Sequence, residues 1–257
     1  MPACRPTRAN IPPRRGQQSF TLSDHPSSRN TMNLKSLLAA AVLATLPTAS
    51  FAAGFNWNAT LASDYIYRGI DQNDDQPAIQ LGAGYGFENG LYVGAWGSNV
   101  DFGDGTDTEI DTFIGWAGEV GDSTSLDVQL VRYNYLNEPA GTDYAYNELI
   151  TKLGVGENLT LTLGYTNDYV NSDETSLYYA ANGSWGFAGD YTFNAGLGYT
   201  TIGGSLENFF DYSVGVSRAF GPATVTLSYV GSDGNAEDNF GPDLSEDKVL
   251  LTIGFGG

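Results

Sequence analysis

From residue 55 onward, apolar and polar residues alternate along strand-length runs, and a turn closes each run. Leu159, Thr160, Leu161, Thr162, Leu163, Gly164, Tyr165 and Thr166 show the pattern, and residues 223–229 repeat it. A period of two sends the apolar side chains to one face of a strand and the polar ones to the other. A soluble sandwich alternates too. Here the apolar faces are rich in Tyr, Phe and Trp, and a secretory signal comes first. Together these features predict an all-β chain folded as a transmembrane antiparallel up-and-down β-barrel of about 12 strands, apolar towards lipid and polar inside.

Strand and turn signals place the strands near 55–68, 76–87, 91–100, 108–118, 124–136, 144–155, 158–170, 175–187, 190–202, 208–220, 222–233 and 246–256. Short connections at 88–90, 121–123, 156–158, 188–190 and 221–222 carry the Gly, Asn, Asp and Pro of tight turns. They alternate with longer, acidic connections at 71–76, 101–107, 137–143, 171–174, 203–207 and 234–245. Short periplasmic turns alternating with long external loops is the barrel arrangement, and an even strand count puts both ends on the periplasmic side.

The alternation also assigns faces. Trp57, Tyr65, Tyr67, Tyr85, Phe87, Trp185, Phe187, Tyr191, Tyr199, Phe210, Tyr212, Tyr229 and Phe255 are the candidates for aromatic girdles at the two lipid interfaces. Asp64, Arg68, Gln80, Asp111, Asp127, Gln129, Glu148, Lys152, Asn182, Asn194 and Asp211 are the lumen-lining candidates. Asp64 with Arg68, and Glu148 with Lys152, are four residues apart and share a face. At 3.3 Å per residue that is about 13 Å, so each is expected to pair with a neighbouring strand. Inward glycines such as Gly82, Gly164, Gly196 and Gly198 favour an open lumen or mark strand curvature. In strand 124–136, Leu126, Val128 and Leu130 share one face while Val131, Tyr133 and Tyr135 share the other, and a β-bulge near Leu130 is expected to restore the phase. Strand 91–100 is apolar on both faces, so the pattern gives it no orientation.

Met32, Asn33, Leu34 and Lys35 make a short basic start before an apolar run over 37–46. Ser50 and Ala52 are spaced for cleavage after Ala52, so 32–52 reads as a signal peptide and 53–257 as the barrel. Residues 1–31 have no periodicity and read as an unstructured extension, or as a start assigned upstream of Met32; a long n-region is the alternative. Beyond Ala52 five basic residues (Arg68, Arg132, Lys152, Arg218, Lys248) face 29 acidic ones, a net charge of −24. Nucleic acid is thereby excluded as a partner, since it needs clustered Lys and Arg. The partners expected are outer-membrane lipid and lipopolysaccharide, and small hydrophilic solutes; no cofactor is implied.

Cys4 and His25 both precede the cleavage point, so the barrel portion contains neither residue type. Disulfides, Cys- or His-built zinc sites and catalytic arrangements that use Cys or His are excluded there. Asp101, Asp104 and Asp107 lie in a loop resembling a calcium loop, but Thr112 stands at the twelfth position, where such a loop needs Glu. The inward charges have two readings, neutralisation inside a packed barrel or a charged constriction that filters solutes.

Ser63, Asp64, Tyr65, Ile66, Tyr67, Arg68, Gly69 and Ile70, followed by Gln72 and by Pro77, Ala78, Ile79 and Gln80, resemble the opening signature of the TorF family of proteobacterial porin-like barrels. The resemblance implies an outer-membrane barrel and a solute channel, with no solute assigned. Outer-membrane strands usually finish on a terminal aromatic, whereas here Phe255 lies two residues before the end. The sequence thus points to a porin-like channel in the bacterial outer membrane whose acidic loops favour cations or neutral solutes over anions. The alternative is a structural or adhesive barrel with a filled lumen, acting through its loops.

Overall fold

A computed structural model describes residues 53–257; the expected extension and signal segment lie outside the described residues. The strands are β1 (Gly54–Ala62), β2 (Ile66–Tyr67), β3 (Ile70–Asp71), β4 (Ala78–Gly86), β5 (Leu91–Asn99), β6 (Thr108–Gly121) and β7 (Thr124–Leu136), then β8 (Tyr146–Val155), β9 (Leu159–Thr166), β10 (Ser176–Phe187), β11 (Tyr191–Ile202), β12 (Phe209–Phe220), β13 (Ala223–Ser232) and β14 (Lys248–Gly256). All but β2 and β3 form a closed barrel of twelve strands. Each pairs antiparallel with its sequence neighbours, and β14 returns to β1 with Ile253 opposite Leu61. Closure gives every strand two partners, so no edge is left unpaired.

The barrel is oily outside. Leu61, Leu81, Leu130, Leu161, Leu197, Leu227 and Leu251 are all exposed. Such a band stays out of water only against hydrocarbon. Aromatics stand at both ends of it. Tyr85 with Phe87 (centroids 5.2 Å apart) and Phe187 with Tyr191 (5.8 Å) lie towards the short turns. Tyr199 with Phe210 (4.4 Å) and Tyr212 with Tyr229 (6.4 Å) lie towards the long loops. Trp57 and Trp185 are exposed, and Phe255 is half-buried.

Three expectations need correction. The first strand stops at Ala62, not 68, and 63–77 form a loop that turns into the barrel. Tyr65 is buried and Tyr67 half-buried there, so neither belongs to a girdle. No bulge occurs near Leu130: the β6–β7 register runs unbroken through Ile114 opposite Leu130 and Phe113 opposite Val131, and its only irregularity lies at Glu119 and Gly121. The apparent phase change arises because Val131 and Tyr133 are buried inside the barrel, where an apolar residue is as well sheltered as in lipid. β5 is oriented by the same rule, with Tyr92, Trp96 and Ser98 buried inward and Leu91 and Val93 exposed.

The interior is therefore lopsided. On β5 to β8 it presents Tyr92, Trp96, Phe113, Val131, Tyr133, Tyr146 and Ile150, which pack into one buried cluster with Tyr65 and Ile66 of the loop. On β9 to β14 small polar residues are commoner, Thr162, Thr166, Asn194, Ser213, Ser217, Thr226, Ser228 and Thr252, beside the buried Tyr178, Val230 and Leu250. Between β13 and β14 the loop coils into α1 (Gly234–Phe240) and α2 (Pro242–Ser245). Ala236 there packs with Ile70 of β3, Ile202 and Phe209, with Phe240 and Leu244 alongside.

A loop-borne arginine strut across the lumen

The loop of 63–77 is a small hairpin in which β2 pairs with β3, Tyr67 opposite Ile70. Its two turn residues, Arg68 (φ 51°) and Gly69 (φ 79°), are both left-handed, as the tight turn of a two-residue hairpin requires. A Cβ on Gly69 would stand 2.9 Å from the Gly231 carbonyl and 3.0 Å from Cβ of Asp211, so only glycine lets the tip reach the inner wall of β12 and β13.

From that tip Arg68 reaches β8. Its Nη2 donates to both carboxylate oxygens of Glu148, at 2.9 Å each, and both side chains are buried. The guanidinium lies over the rings of Tyr178 (4.0 Å to the centroid) and Tyr67 (4.7 Å). Glu148 also accepts from the Tyr133 hydroxyl at 3.0 Å and the Tyr67 hydroxyl at 3.4 Å. Opposite charges, π-faces and hydroxyl donors together compensate the desolvation that makes buried ions expensive. Gly164 on β9 supplies the room, since a Cβ there would be 2.6 Å from Oε1 of Glu148 and 3.1 Å from Nη2 of Arg68. At this position the inward glycine makes space for a side chain rather than for a pore.

The loop is tied down at its other end. The ammonium of Lys248, the first residue of β14, donates to Asp64 at 3.0 Å and to Asp71 and Asp75 at shorter distances. These three carboxylates form the one acidic cluster among the described residues compact enough to hold a metal ion, and the lysine ammonium sits among them. Asp71 further accepts from the backbone N–H groups of Asn73 (2.7 Å) and Asp75 (3.0 Å), fixing the return of the chain to β4.

Of the remaining lumen candidates, Asp211 lies beside the strut, under the hairpin tip and on the Tyr178 hydroxyl, and the others make contacts of their own. Asp127 accepts from the Tyr92 hydroxyl at 2.5 Å and stands opposite Lys152 across the β7–β8 pair. Asn194 accepts from Ser184 at 3.0 Å and donates to Ser217 at 3.1 Å. Asp211 accepts from Tyr178 at 3.3 Å. Gln129 is buried, and Gln80 and Asn182 are half-buried. Asp111 is buried on β6 beside Glu109. Sequence reasoning missed Lys248, Tyr133 and Tyr178 as partners of the loop. Gly69 beside Arg68 was the one local sign that a hairpin, not a continuous strand, follows Ala62.

In the external loop resembling a calcium loop, the carboxylates cap local turns. Asp101 accepts from the N–H of Gly103 at 2.9 Å and Asp104 from that of Thr106 at 3.0 Å. The Thr106 backbone and the Tyr144 hydroxyl hold the Asp104 carboxyl below its ordinary value. The Asn137 side chain, with Thr108, does the same for Asp107.

Residues 47–254 match the family described as "Bacterial protein of unknown function (Gcw_chp)". The chain belongs to that family. No curated protein matches the sequence. Among solved structures, the NanC porin aligns with a TM-score of 0.52 at 11% identity, covering 79% of this chain and 99% of that one. The KdgM porin aligns at 0.49 and 12% identity, covering 78% and 97%. At these identities the likeness is one of fold: this chain has the closed twelve-stranded barrel of outer-membrane porins.

Proposed function

We propose that the protein is an outer-membrane channel for passive diffusion of small hydrophilic solutes, with the strut of Arg68 and Glu148 as its constriction. The observation that carries this reading is a charged pair fixed across the inside of a closed, outwardly apolar barrel. A buried ion pair is weak evidence for stability alone, since apolar side chains often replace one at no loss, which favours a use for the charges in the lumen. The resemblance of residues 63–80 to the TorF family supports the same reading, and those residues form the inserted loop. The barrel portion, 53–257, is the exported part, and the acidic external loops concentrate cations and deplete anions at the mouth, an effect weakened by salt. Nothing in the lumen implies a cofactor. With no Cys or His in 53–257, the nucleophiles and bases most used by hydrolytic barrels are missing, which supports a non-enzymatic role.

A second reading, a filled barrel acting through its loops, is favoured by the tight interior: Ser217 and Thr226 on the wall opposite the aromatic cluster are each only 1% exposed. Planar-bilayer recordings separate the two. The channel reading expects ohmic steps in potassium chloride and a reversal potential on the cation side in a salt gradient. A correctly folded barrel that passes no current refutes it.

A further inference from the structure

On the inner wall of β5 to β7 six side chains form a patch beside the strut, sharing only Tyr133 with it. Trp96 stands opposite Asp111 and Ser98 opposite Glu109 across β5–β6; Tyr133 and Tyr135 stand opposite the same two carboxylates across β6–β7. Glu109 is 2% exposed and Asp111 1%. Tyr135 donates to Oε1 of Glu109 at 3.3 Å, but Oε2 of Glu109 and Oδ1 of Asp111 have no hydrogen-bond partner. Arg68 and Lys248 are paired with Glu148, Asp64, Asp71 and Asp75 rather than with this patch. Two neighbouring carboxyl groups are thus buried with acceptor oxygens that no side chain satisfies, and a positive group sharing them would be held by both.

We propose that this patch is a binding station for small organic ammonium ions, which identifies a solute class for the channel and rests on that reading. An ammonium carries N–H donors for both orphaned oxygens. The rings of Trp96, Tyr133 and Tyr135, opposite or beside the two carboxyls in the β5–β6–β7 register, offer apolar area to its alkyl group. An inorganic divalent ion fits less well, because it takes about six to eight oxygen ligands, more than two carboxylates and their neighbouring hydroxyls supply. Tyr65 of the inserted loop stands beside both carboxylates and packs on Trp96 with centroids 5.5 Å apart.

The test is calorimetric titration of the folded protein in detergent with ethylammonium chloride, with potassium chloride as the reference, beside bilayer recordings of the same preparation. Saturable ethylammonium binding is expected, weakened about tenfold or more in the Glu109→Gln, Asp111→Asn double variant as charged acceptors become neutral. Glu237→Gln on the external helix leaves binding unchanged. Trp96→Leu retains binding but loses the preference for ethylammonium over potassium. Because Gln and Asn keep the shape and remove buried charge, the double variant folds, as an unheated electrophoretic shift verifies. Undiminished binding in the double variant, or potassium competing as well as ethylammonium, overturns the proposal. A silent barrel that still binds ethylammonium sinks the channel and spares the station; a conducting barrel without saturable binding does the reverse.

Discussion

Replacing Glu148 by Gln leaves the Arg68 guanidinium buried without its counter-ion. At about 3 Å and an effective dielectric near 20, the direct attraction is about 5 kcal/mol. Breaking a buried pair by removing one member typically costs about 3–5 kcal/mol. The lower figure applies here, because the amide retains an acceptor and the rings of Tyr178 and Tyr67 still face the cation. A loss of about 3 kcal/mol makes undocking of the loop roughly a hundredfold more frequent. Hydrogen exchange read by mass spectrometry resolves this segment by segment. Backbone amides in 63–77 are expected to exchange about a hundredfold faster, while those of β9 to β13 are unchanged, because their ladders do not involve Glu148. Removing both charges, in an Arg68→Gln, Glu148→Gln double variant, is expected to recover part of the loss, since no ion is then stranded. Unaltered protection of 63–77 in Glu148→Gln would refute the idea that the pair holds the loop.

Gly164→Val puts a branched side chain where a Cβ already meets Glu148 and Arg68; it is expected to loosen the loop as Glu148→Gln does, read by the same exchange, while the barrel still forms. Lys248→Met strands Asp64 and Asp71, both buried. A stability loss of about 3 kcal/mol is expected in detergent denaturation, and Asp71→Asn in the same background is expected to return part of it. The contact of Asp107 with Asn137 is expected to be pH-dependent in one direction. A carboxyl held below its ordinary value of 3.8 gives a stability that is present above that value and lost as pH falls through the lowered one. Protection at residues 137–138, taken relative to intrinsic exchange at each pH, should therefore be constant from pH 8 to about 5 and fall only in strong acid, and Asp107→Asn should abolish that fall.

Most strand positions were legible because period-two alternation against lipid is enforced everywhere on the outside: strand 124–136 agrees with β7 at both ends. The inside was harder to read. A lumen wall tolerates both Thr226 and Val131, so the inward face carries no uniform polarity, and β5 could not be oriented until its neighbours were in place. The loop was misread for a related reason. Tyr65, Ile66, Tyr67 and Arg68 alternate as a strand would, and they do pair, but as a two-residue hairpin inside the barrel rather than as an extension of β1. Lys248 gave no sign of its role because its partners lie 173 to 184 residues earlier in the chain.

The uneven interior has a consequence for how wide this molecule is. Bulky rings crowd the side of β5 to β8, and the inserted hairpin reaches from there to the wall of β12 and β13, so the bore is divided by the chain's own loop. Strand number, which ordinarily sets the bore of a barrel, then overstates it here.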